Sequence, residues 1–561
     1  MPTVEINKND LKNLILEKFN DTLLEEWLQT GKGELKDVSE NTYKIELNDT
    51  NRPDLWSAAG IARQINIYLS QKDYEYPFFN LRESKYTLIV DDSIKEIRPF
   101  IIAFGVKNIN ITEELLLELI QNQEKFADNF GRKRKDIAIG IYKLKNIKFP
   151  VTYKAISPEE IKFIPLGFEK EMDLNEILKE HPKGIEYAHL VKTFNKYPII
   201  VDSNNNVLSF PPVINSKYIG EVEVGDNEIF IELTGYNITN LMLIANIFAC
   251  DLYDRGGEII PATIKYNYDT KFGKEFISPH IIEKEFTLSK EYFSKISGFT
   301  PADEEIEKNL KKMGFKNINI NEKEVKVEIP PYRNDIMHSV DVVEDFIIGK
   351  GYNNIQMEMP EDFTIGSLSE MELFSDKIRD IMIGMEFQEI ISNILNSKEN
   401  IYDKMGIKDI NGVEIANPMT ESYNVLRNSI IPVLFEVETI SAKADYPHKI
   451  FEVGDIVIKD NNENYGSKTL INLGAISVHS NANFSEIKSY INNIMYYIGI
   501  DDFKFEGTEK EFLIPGRCAN IVFNNRVVGY IGEVHPEILE KWDINMPIAL
   551  FELTLNYLLI K

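Results

Sequence analysis

Two consecutive prolines, Pro330 and Pro331, place the strongest local restriction on how this chain can fold. Proline has no backbone N–H and disfavours helix in the residue before it, so a regular element is expected to stop here. Residues 325–329 alternate apolar and polar side chains ahead of the prolines, which predicts a strand. Ser339 can cap a helix that runs to about Ile348. The prolines therefore separate a strand from a helix within a small unit.

The predicted helix carries Asp341, Glu344 and Asp345 on one face, because residues at i, i+3 and i+4 are neighbours on a helix surface. Asp335 lies just before the helix and can fold back onto it. Four oxygen ligands suit a hard cation such as magnesium. The same residues also fit a solvated acidic face, with Asp341 near the positive end of the helix. The spacing alone leaves both interpretations open.

The bulk composition restricts the class of protein. A chain of 561 residues is long enough for about three to five domains, and 43% hydrophobic residues can fill several cores. The formal net charge of −27 repels nucleic acid at long range. If the chain acts on RNA, we expect a basic partner to neutralise much of the phosphate charge.

The cysteines and the apolar segments indicate the compartment. Cys250 and Cys518 form no CxxC pair, which excludes a zinc finger or ribbon and fits a reducing environment. The first residues lack a signal-peptide pattern, and the apolar stretch Leu241–Cys250 is too short to span a bilayer. We therefore expect a cytoplasmic protein with no membrane contact.

Local signals divide the chain into four expected units, which are residues 1–90, 91–275, 280–355 and 360–561. In the second unit, a turn cluster at 202–206 lies between two apolar runs and predicts a hairpin. In the third, Thr300 is the expected N-cap of a helix with Pro301 at its first position. The fourth alternates strands with long amphipathic helices.

The segment from Val327 to Ile336, followed by Asp341 to Asp345 and Gly351-Tyr352, resembles the small helical module of phenylalanyl-tRNA synthetase β subunits. In that family the matching carboxylates bind magnesium, and by position they are Asp335, Asp341, Glu344 and Asp345. Four further segments match other modules of the family: 51–54, 181–184, 451–454 and 532–536.

The resemblance implies an α+β multidomain fold. It comprises a mixed α/β editing module, a small helical module that looks like a helix-turn-helix, and a C-terminal class II synthetase-like core of antiparallel sheet with helices. Bacterial β subunits carry an added tRNA-binding barrel and an anticodon-binding domain, for which this chain has no room. The expectation is therefore the shorter archaeal and eukaryotic type.

The resemblance also implies that this core is catalytically silent for aminoacylation. An active class II core holds ATP through an R-x-E pattern and a late glycine-rich stretch that ends in Glu-Arg. Here the local pattern is Leu426-Arg427-Asn428-Ser429, without the acid, and the glycine-rich stretch is missing. Arg427 and Glu533 are accordingly expected to be structural. The complex would use ATP and Mg²⁺ through an α subunit, in an α₂β₂ heterotetramer that binds tRNA(Phe).

An editing site is the second implication of the resemblance. A pocket for phenylalanine rejects tyrosine only about 10²-fold by apolar contacts, so a second hydrolytic site makes physical sense. Residues 207–216 are similar to that site in the family, and the implied pocket residues are Ser209, Asn215, Glu232 and His189. Glu232 would accept the hydrogen bond of the tyrosine hydroxyl, and His189 would carry protons. Each residue also has a structural interpretation, in a Pro-Pro turn, on a solvated strand or as a satisfied histidine.

Two other functions stay open at this point. One is a free-standing hydrolase that edits mischarged tRNA, against which the silent core argues. The other is a non-enzymatic nucleic-acid-binding scaffold, against which the net charge argues. The basic run Arg132-Lys133-Arg134-Lys135 is either a solvated loop or a contact to tRNA phosphates.

Overall fold

The computed structural model describes residues 2–70, 74–282, 284–359, 361, 363–408 and 411–559. It contains two compact units, Met1–Glu358 and Met359–Lys561. The expected boundary at residue 360 lies outside the described residues. In their described parts, no helix is long and apolar enough to cross a membrane.

The N-terminal unit begins with a small antiparallel sheet packed on helices. Its strands lie side by side in the order Thr3–Asn7, Thr42–Leu47 and Gly33–Val38. The helices of this region are Lys8–Leu14, Asp21–Leu28 and Ala58–Ser70. Pro53 opens a short 3-10 turn, and the buried helix follows it.

A large, mostly antiparallel sheet forms the centre of the N-terminal unit. In spatial order its strands are Ile214–Asn215, Val207–Phe210, Tyr197–Val201, Val151–Ile156, Tyr86–Val90, Glu258–Tyr266, Phe100–Lys107, Ile229–Gly235 and Ile137–Lys143, with Glu275–Ser278 beside Glu258–Tyr266. Its helices are Glu113–Asp128, Leu174–Glu180, Pro182–Tyr187, Lys217–Gly220 and Ile238–Asp254. A separate pair of short strands is Lys162–Phe163 with Met172–Asp173.

Two features of this sheet bear on the sequence predictions. The predicted hairpin is present, because Tyr197–Val201 pairs antiparallel with Val207–Phe210. The sheet also includes Tyr86–Val90, which pairs in parallel with Glu258–Tyr266 and with Val151–Ile156. The first residues of the sheet therefore lie inside the expected 1–90 unit.

The last part of the N-terminal unit combines three helices with a three-stranded sheet. The strands run in the order Glu285–Ser289, Glu324–Glu328 and Lys316–Ile320, and the helices are Lys290–Ser297, Asp303–Lys312 and Ser339–Lys350. A hairpin separates the last two helices, whereas a helix-turn-helix joins its helices by a short turn. The expected helix-turn-helix connection is therefore wrong for these residues.

Both helix starts predicted in this region are displaced. The first of these helices has Ala302 as its N-cap, two residues after Thr300, and no side chain caps it. Asp303 and the two acids after it lie in its first turn, where they interact favourably with the helix dipole. The second has His338 as its N-cap, and Asp341 completes a reciprocal capping box.

The C-terminal unit is built on one sheet, antiparallel except for its first strand. The strand order is Gln388–Glu389, His448–Lys459, Ser467–Val478, Ile548–Thr554, Arg526–Val534, Leu513–Phe523 and Phe503–Gly507, and the pair Leu395–Asn396 with Val425–Leu426 lies apart. The helices are Glu370–Gly384, Ile431–Ser441, Phe484–Ile498 and Pro536–Lys541. Apolar cores lie against this sheet. The class II synthetase-like type that the resemblance implies for this unit stays a prediction.

Candidate functional site

A cavity of about 300 Å³ lies in the N-terminal unit, between helix Glu113–Asp128 and the large sheet. Its walls combine apolar side chains from the helix and strands with the turn at Pro211–Pro212. Its polar lining includes Ser209, Asn215 and Glu232, three of the four predicted editing residues. The structure therefore brings these three residues to one cavity.

The cavity forms because the large sheet curves until its two ends meet. The hydroxyl of Tyr142, on the last strand in spatial order, lies 2.8 Å from Oγ of Ser209 near the opposite end. Ser209 pairs with Asn215 on the first strand, and Nδ2 of Asn215 lies 3.5 Å from the carbonyl oxygen of Ile141. Two polar contacts therefore close the sheet across the cavity.

Glu232 supplies the most unusual chemistry in the cavity. The residue is 3% exposed, and its Oε1 accepts a hydrogen bond of 2.7 Å from the hydroxyl of Tyr142. Its Oε2 is buried and has no hydrogen-bond partner among the described residues. Burial raises the pKa of the carboxyl group to about 7, although the Tyr142 hydrogen bond and the charge of Arg98 act to lower it. A buried carboxyl with one free oxygen is suited to receive a ligand hydroxyl.

His189 does not line this cavity. Its side chain is exposed, and Nδ1 lies 3.1 Å from the backbone oxygen of Glu186. The nearby His181 is buried instead and caps helix Pro182–Tyr187, with Nε2 3.0 Å from the oxygen of Leu166. The structure therefore does not place His189 with the other predicted editing residues, and its proton-carrying role finds no support in the geometry.

The basic run contributes one cation to the cavity lining. Arg134 lies over the ring of Tyr187 at 4.5 Å and donates to the carbonyl oxygen of Val213 at 3.0 Å. Arg132, Lys133 and Arg134 all have positive φ, which is uncommon for residues other than glycine. The side chains of the other three residues of the basic run, Arg132, Lys133 and Lys135, are exposed to solvent.

Each of the four predicted magnesium ligands has a partner within the protein. Arg333 is buried and binds two of them: its Nε donates to Oδ1 of Asp335 at 3.0 Å, and its Nη1 lies 2.6 Å from Oδ2 of Asp345. The positive charge of Arg333, with that of Arg52, holds the pKa of Asp335 well below its usual range. Burial raises the pKa of Asp345 despite the same arginine.

The other two carboxylates face different groups. Oδ2 of Asp341 accepts hydrogen bonds from the backbone N–H of Met337 at 2.8 Å and of His338 at 2.7 Å. Glu344 forms an ion pair of 2.8 Å with Lys32. Among the described residues, no group of three or more His, Cys, Asp or Glu side chains is arranged to hold a metal ion. The four carboxylates do not converge in this chain, and their binding of magnesium stays a prediction.

In the C-terminal unit, Arg427 is buried, and each of its three guanidinium nitrogens has a partner. Its Nη2 lies 2.8 Å from Oε1 of Glu452, its Nη1 donates to Ser392 at 2.7 Å, and its Nε donates to the oxygen of Asp455 at 2.8 Å. Glu533 accepts from the N–H of Phe484 at 2.8 Å. Both side chains therefore have partners within the protein, and their purely structural role stays a prediction.

Sequence reasoning missed Tyr142, Arg134 and Lys183 as lining or supporting residues of the cavity. Tyr142 carried no signal for this site, because its approach to Glu232 depends on the pairing of two strands that are far apart in the chain. Lys183 belongs to the segment 181–184 that matches the family, and Arg134 belongs to the basic run, but neither was assigned to the pocket.

Two family models match the chain. The tRNA synthetase B5 domain matches residues 286–352, and the phenylalanyl tRNA synthetase beta chain CLM domain matches residues 355–555. Both models describe parts of aminoacyl-tRNA synthetases, and this class fits the mixed α/β fold with its separate sheets.

Similar proteins narrow the class further. The phenylalanine–tRNA ligase beta subunit of Borrelia recurrentis is 42% identical over 566 residues, and that of Borreliella afzelii is 41% identical over 571, each covering 100% of both chains. The crystal structure of an N-terminal fragment of the phenylalanyl-tRNA synthetase beta subunit from Pyrococcus horikoshii is 39% identical. It covers 63% of this chain and 100% of that chain, with a TM-score of 0.59. This chain belongs to the family of phenylalanine–tRNA ligase β subunits.

The comparisons do not confirm the expected archaeal or eukaryotic type. The two relatives named above, which match over the whole chain, are bacterial, although the similar solved fragment is archaeal.

Proposed function

We propose that this chain supports the ATP-dependent attachment of phenylalanine to tRNA(Phe) by an α subunit and itself hydrolyses mischarged Tyr-tRNA(Phe). Membership of the ligase β-subunit family supports the first role. The observation that carries the second is the buried carboxyl group of Glu232, with one unpartnered oxygen, in a cavity of about 300 Å³.

The cavity supports selection of tyrosine over phenylalanine on chemical grounds. A tyrosine hydroxyl can donate to Oε2 of Glu232, whereas phenylalanine leaves that buried oxygen without a partner. A site that hydrogen-bonds a substrate hydroxyl rejects the analogue without it far more strongly than an apolar pocket does. Ser209 and Asn215 line the same cavity, where they can orient the ester or an attacking water.

The synthetic chemistry is assigned to the α subunit, in an α₂β₂ heterotetramer that uses ATP and Mg²⁺. Arg427 supports this assignment, because its guanidinium is bound to Glu452, Ser392 and Asp455 rather than free for a nucleotide. If magnesium binds at the carboxylate cluster of this chain, Asp341 and Glu344 are the residues to hold it, since Arg333 already occupies the other two acids. We propose a cytoplasmic location and the compact architecture of archaeal and eukaryotic β subunits.

The test uses the purified complex of this chain with its α subunit. Wild-type complex should charge tRNA(Phe) with phenylalanine and hydrolyse Tyr-tRNA(Phe), and this chain alone should not charge tRNA. Glu232→Ala should lower the rate of Tyr-tRNA(Phe) hydrolysis by roughly tenfold or more, because the acceptor for the hydroxyl is removed. Glu228→Ala is the matched control, since Glu228 precedes the same strand and pairs with Lys107 outside the cavity. Equal hydrolysis by both variants would refute the assignment of Glu232, and robust charging by the isolated chain would refute the silent core.

A further inference from the structure

Tyr142 donates a hydrogen bond to Glu232, and Glu232 lines the cavity. Its strand, Ile137–Lys143, pairs antiparallel with Ile229–Gly235, so that Glu232 is opposite Gly140 and Phe230 is opposite Tyr142. Tyr142 and Glu232 therefore share a face of the sheet as diagonal neighbours. Tyr142 is completely buried.

Gly140 leaves the space that this contact needs. A Cβ atom at Gly140 would lie 2.1 Å from the hydroxyl oxygen of Tyr142 and 2.6 Å from Oε1 of Glu232. Any other residue at this position would displace the phenol or the carboxyl group. The close approach of the two side chains is therefore a built feature of the strand pair.

The hydroxyl of Tyr142 has a defined role in the hydrogen-bond chain. Burial raises the pKa of Tyr142 well above its usual range, so the phenol stays protonated. A phenol has one hydrogen to donate, and an ionised carboxyl group can only accept. With Glu232 ionised, Tyr142 therefore donates its hydrogen to Oε1 of Glu232, and Oγ of Ser209 lies 2.8 Å from the same phenol oxygen.

We propose that Tyr142 is the positioning residue that sets tyrosine selectivity, by holding Oε1 of Glu232 so that only Oε2 is presented to the phenol of a bound tyrosyl ester. This inference rests on the editing function proposed above. An internal tyrosine occupies one carboxylate oxygen with the same phenol-to-carboxylate hydrogen bond that the substrate would make to the other oxygen. One oxygen remains, and the cavity accepts one hydroxyl.

The hydrogen bond from Tyr142 to Glu232 affects the pKa of Glu232, so the pH dependence of hydrolysis can report on it. Arg98 is the charged group that acts on Glu232, and Arg134, Lys183 and Glu221 are the other charged residues that line the cavity. The ionised form of Glu232 is the acceptor, so tyrosine-specific hydrolysis should rise with pH through the pKa of this carboxyl. Because the Tyr142 hydrogen bond lowers that pKa, its removal should move the midpoint to higher pH.

The experiment compares Tyr142→Phe with wild type in the complete complex. For each protein, kcat/KM is measured for Tyr-tRNA(Phe) and Phe-tRNA(Phe) from about pH 5.5 to about pH 8.5, a range that spans neutrality. We expect Tyr-tRNA(Phe) hydrolysis to fall roughly tenfold and its midpoint to rise, with hydrolysis of Phe-tRNA(Phe) unchanged. Tyr266→Phe is the matched control, because this buried tyrosine of the same sheet donates to the oxygen of Ile101 and does not line the cavity.

A second variant protects the test against a folding defect. Replacement of Tyr142 by 3-fluorotyrosine keeps the hydroxyl and makes it a stronger donor, so the midpoint should move to lower pH. Selectivity and midpoint that match wild type in both variants would overturn the inference while leaving the editing function intact. A wild-type complex that does not hydrolyse Tyr-tRNA(Phe) would overturn both.

Discussion

Arg333 donates from Nε to Oδ1 of Asp335 at 3.0 Å, and both side chains are buried. The same guanidinium also pairs with Asp345. One guanidinium thus neutralises two carboxylates that spacing alone had suggested as metal ligands. Removal of one partner from a buried ion pair is strongly destabilising, because the remaining charge stays without compensation.

Arg333→Met should therefore lower the free energy of unfolding by about 3–5 kcal/mol. Urea denaturation at pH 7 measures this change, and a double variant with Asp345→Asn should recover part of the stability. Arg379→Met is the control, since the ion pairs of Arg379 are partly exposed and should contribute about 1 kcal/mol or less. Equal destabilisation by Arg333→Met and Arg379→Met would contradict the central role of Arg333.

Magnesium binding at Asp341 and Glu344 predicts a linkage between metal and stability. If the ion binds the folded chain, Mg²⁺ should raise the Tm of the wild-type complex. Glu344→Gln should abolish that increase and should cost about 1 kcal/mol or less without metal, because its pair with Lys32 is partly exposed. Glu307→Gln, which removes a similar lysine pair on another helix, should keep the response to Mg²⁺. If Mg²⁺ does not change the Tm of the wild-type complex, the result would argue against this site.

Gly140→Ala should abolish editing and leave aminoacylation intact. The added Cβ overlaps the Tyr142 hydroxyl and the Glu232 carboxyl, so the cavity lining at Glu232 must rearrange. Overpacking of this kind costs about 1–3 kcal/mol. Thermal unfolding and Tyr-tRNA(Phe) hydrolysis measure the two effects. Gly384→Ala is the control, because no atom lies within 4 Å of the added Cβ; wild-type hydrolysis by Gly140→Ala would disprove the tight contact.

The raised pKa of Glu232 makes stability depend on pH. The folded chain holds this proton up to about pH 7, whereas the unfolded chain releases it near 4.5. The stabilisation is complete below 4.5 and is lost as the pH rises to about 7. Glu232→Gln has no such dependence, so its stability relative to wild type should increase from pH 4.5 to 7 and then level off. Urea denaturation at pH 5 and 8 tests this, with Glu228→Gln as control. If the free energies of unfolding of Glu232→Gln and wild type differ by the same amount at both pH values, the Glu232 carboxyl is ionised over this whole range.

The basic turn beside the cavity predicts contact with tRNA phosphates. Lys133→Glu with Lys135→Glu should weaken tRNA(Phe) binding and reduce the slope of log affinity against log salt by about 1 for each phosphate that the turn no longer neutralises. Binding titrations at several salt concentrations give this slope. Lys295→Glu, an exposed change on helix Lys290–Ser297, should alter the slope less. Identical slopes for both variants would indicate a turn that only faces solvent.

Local sequence signals predicted the elements better than the site. Tyr197–Val201 and Val207–Phe210 form the predicted hairpin, because the turn residues and flanking apolar runs are adjacent in the chain. The helix face that carries Asp341 and Glu344 was also predictable from spacing. The partner of Asp345 was not, because a nearby arginine can neutralise a carboxylate only when the tertiary fold brings the two together.

Some residues that line the cavity could be predicted, whereas their arrangement in space could not. Family resemblance identified Ser209, Asn215 and Glu232, which meet in space. It also suggested His189, whose side chain turns to solvent, and no pattern in the sequence reports that orientation. The Tyr142–Ser209 contact joins residues that are 67 positions apart, so it depends on the closure of the whole sheet.

The parallel pairing of Tyr86–Val90 with Glu258–Tyr266 has a consequence for biosynthesis. A ribosome that has completed the first of these strands must add the whole intervening segment before the second emerges. Until then the earlier strand has an open edge, and such edges favour association with other chains. A fragment that stops before Glu258 should therefore aggregate when expressed, whereas one that extends to the end of the N-terminal unit, at Glu358, can complete the sheet.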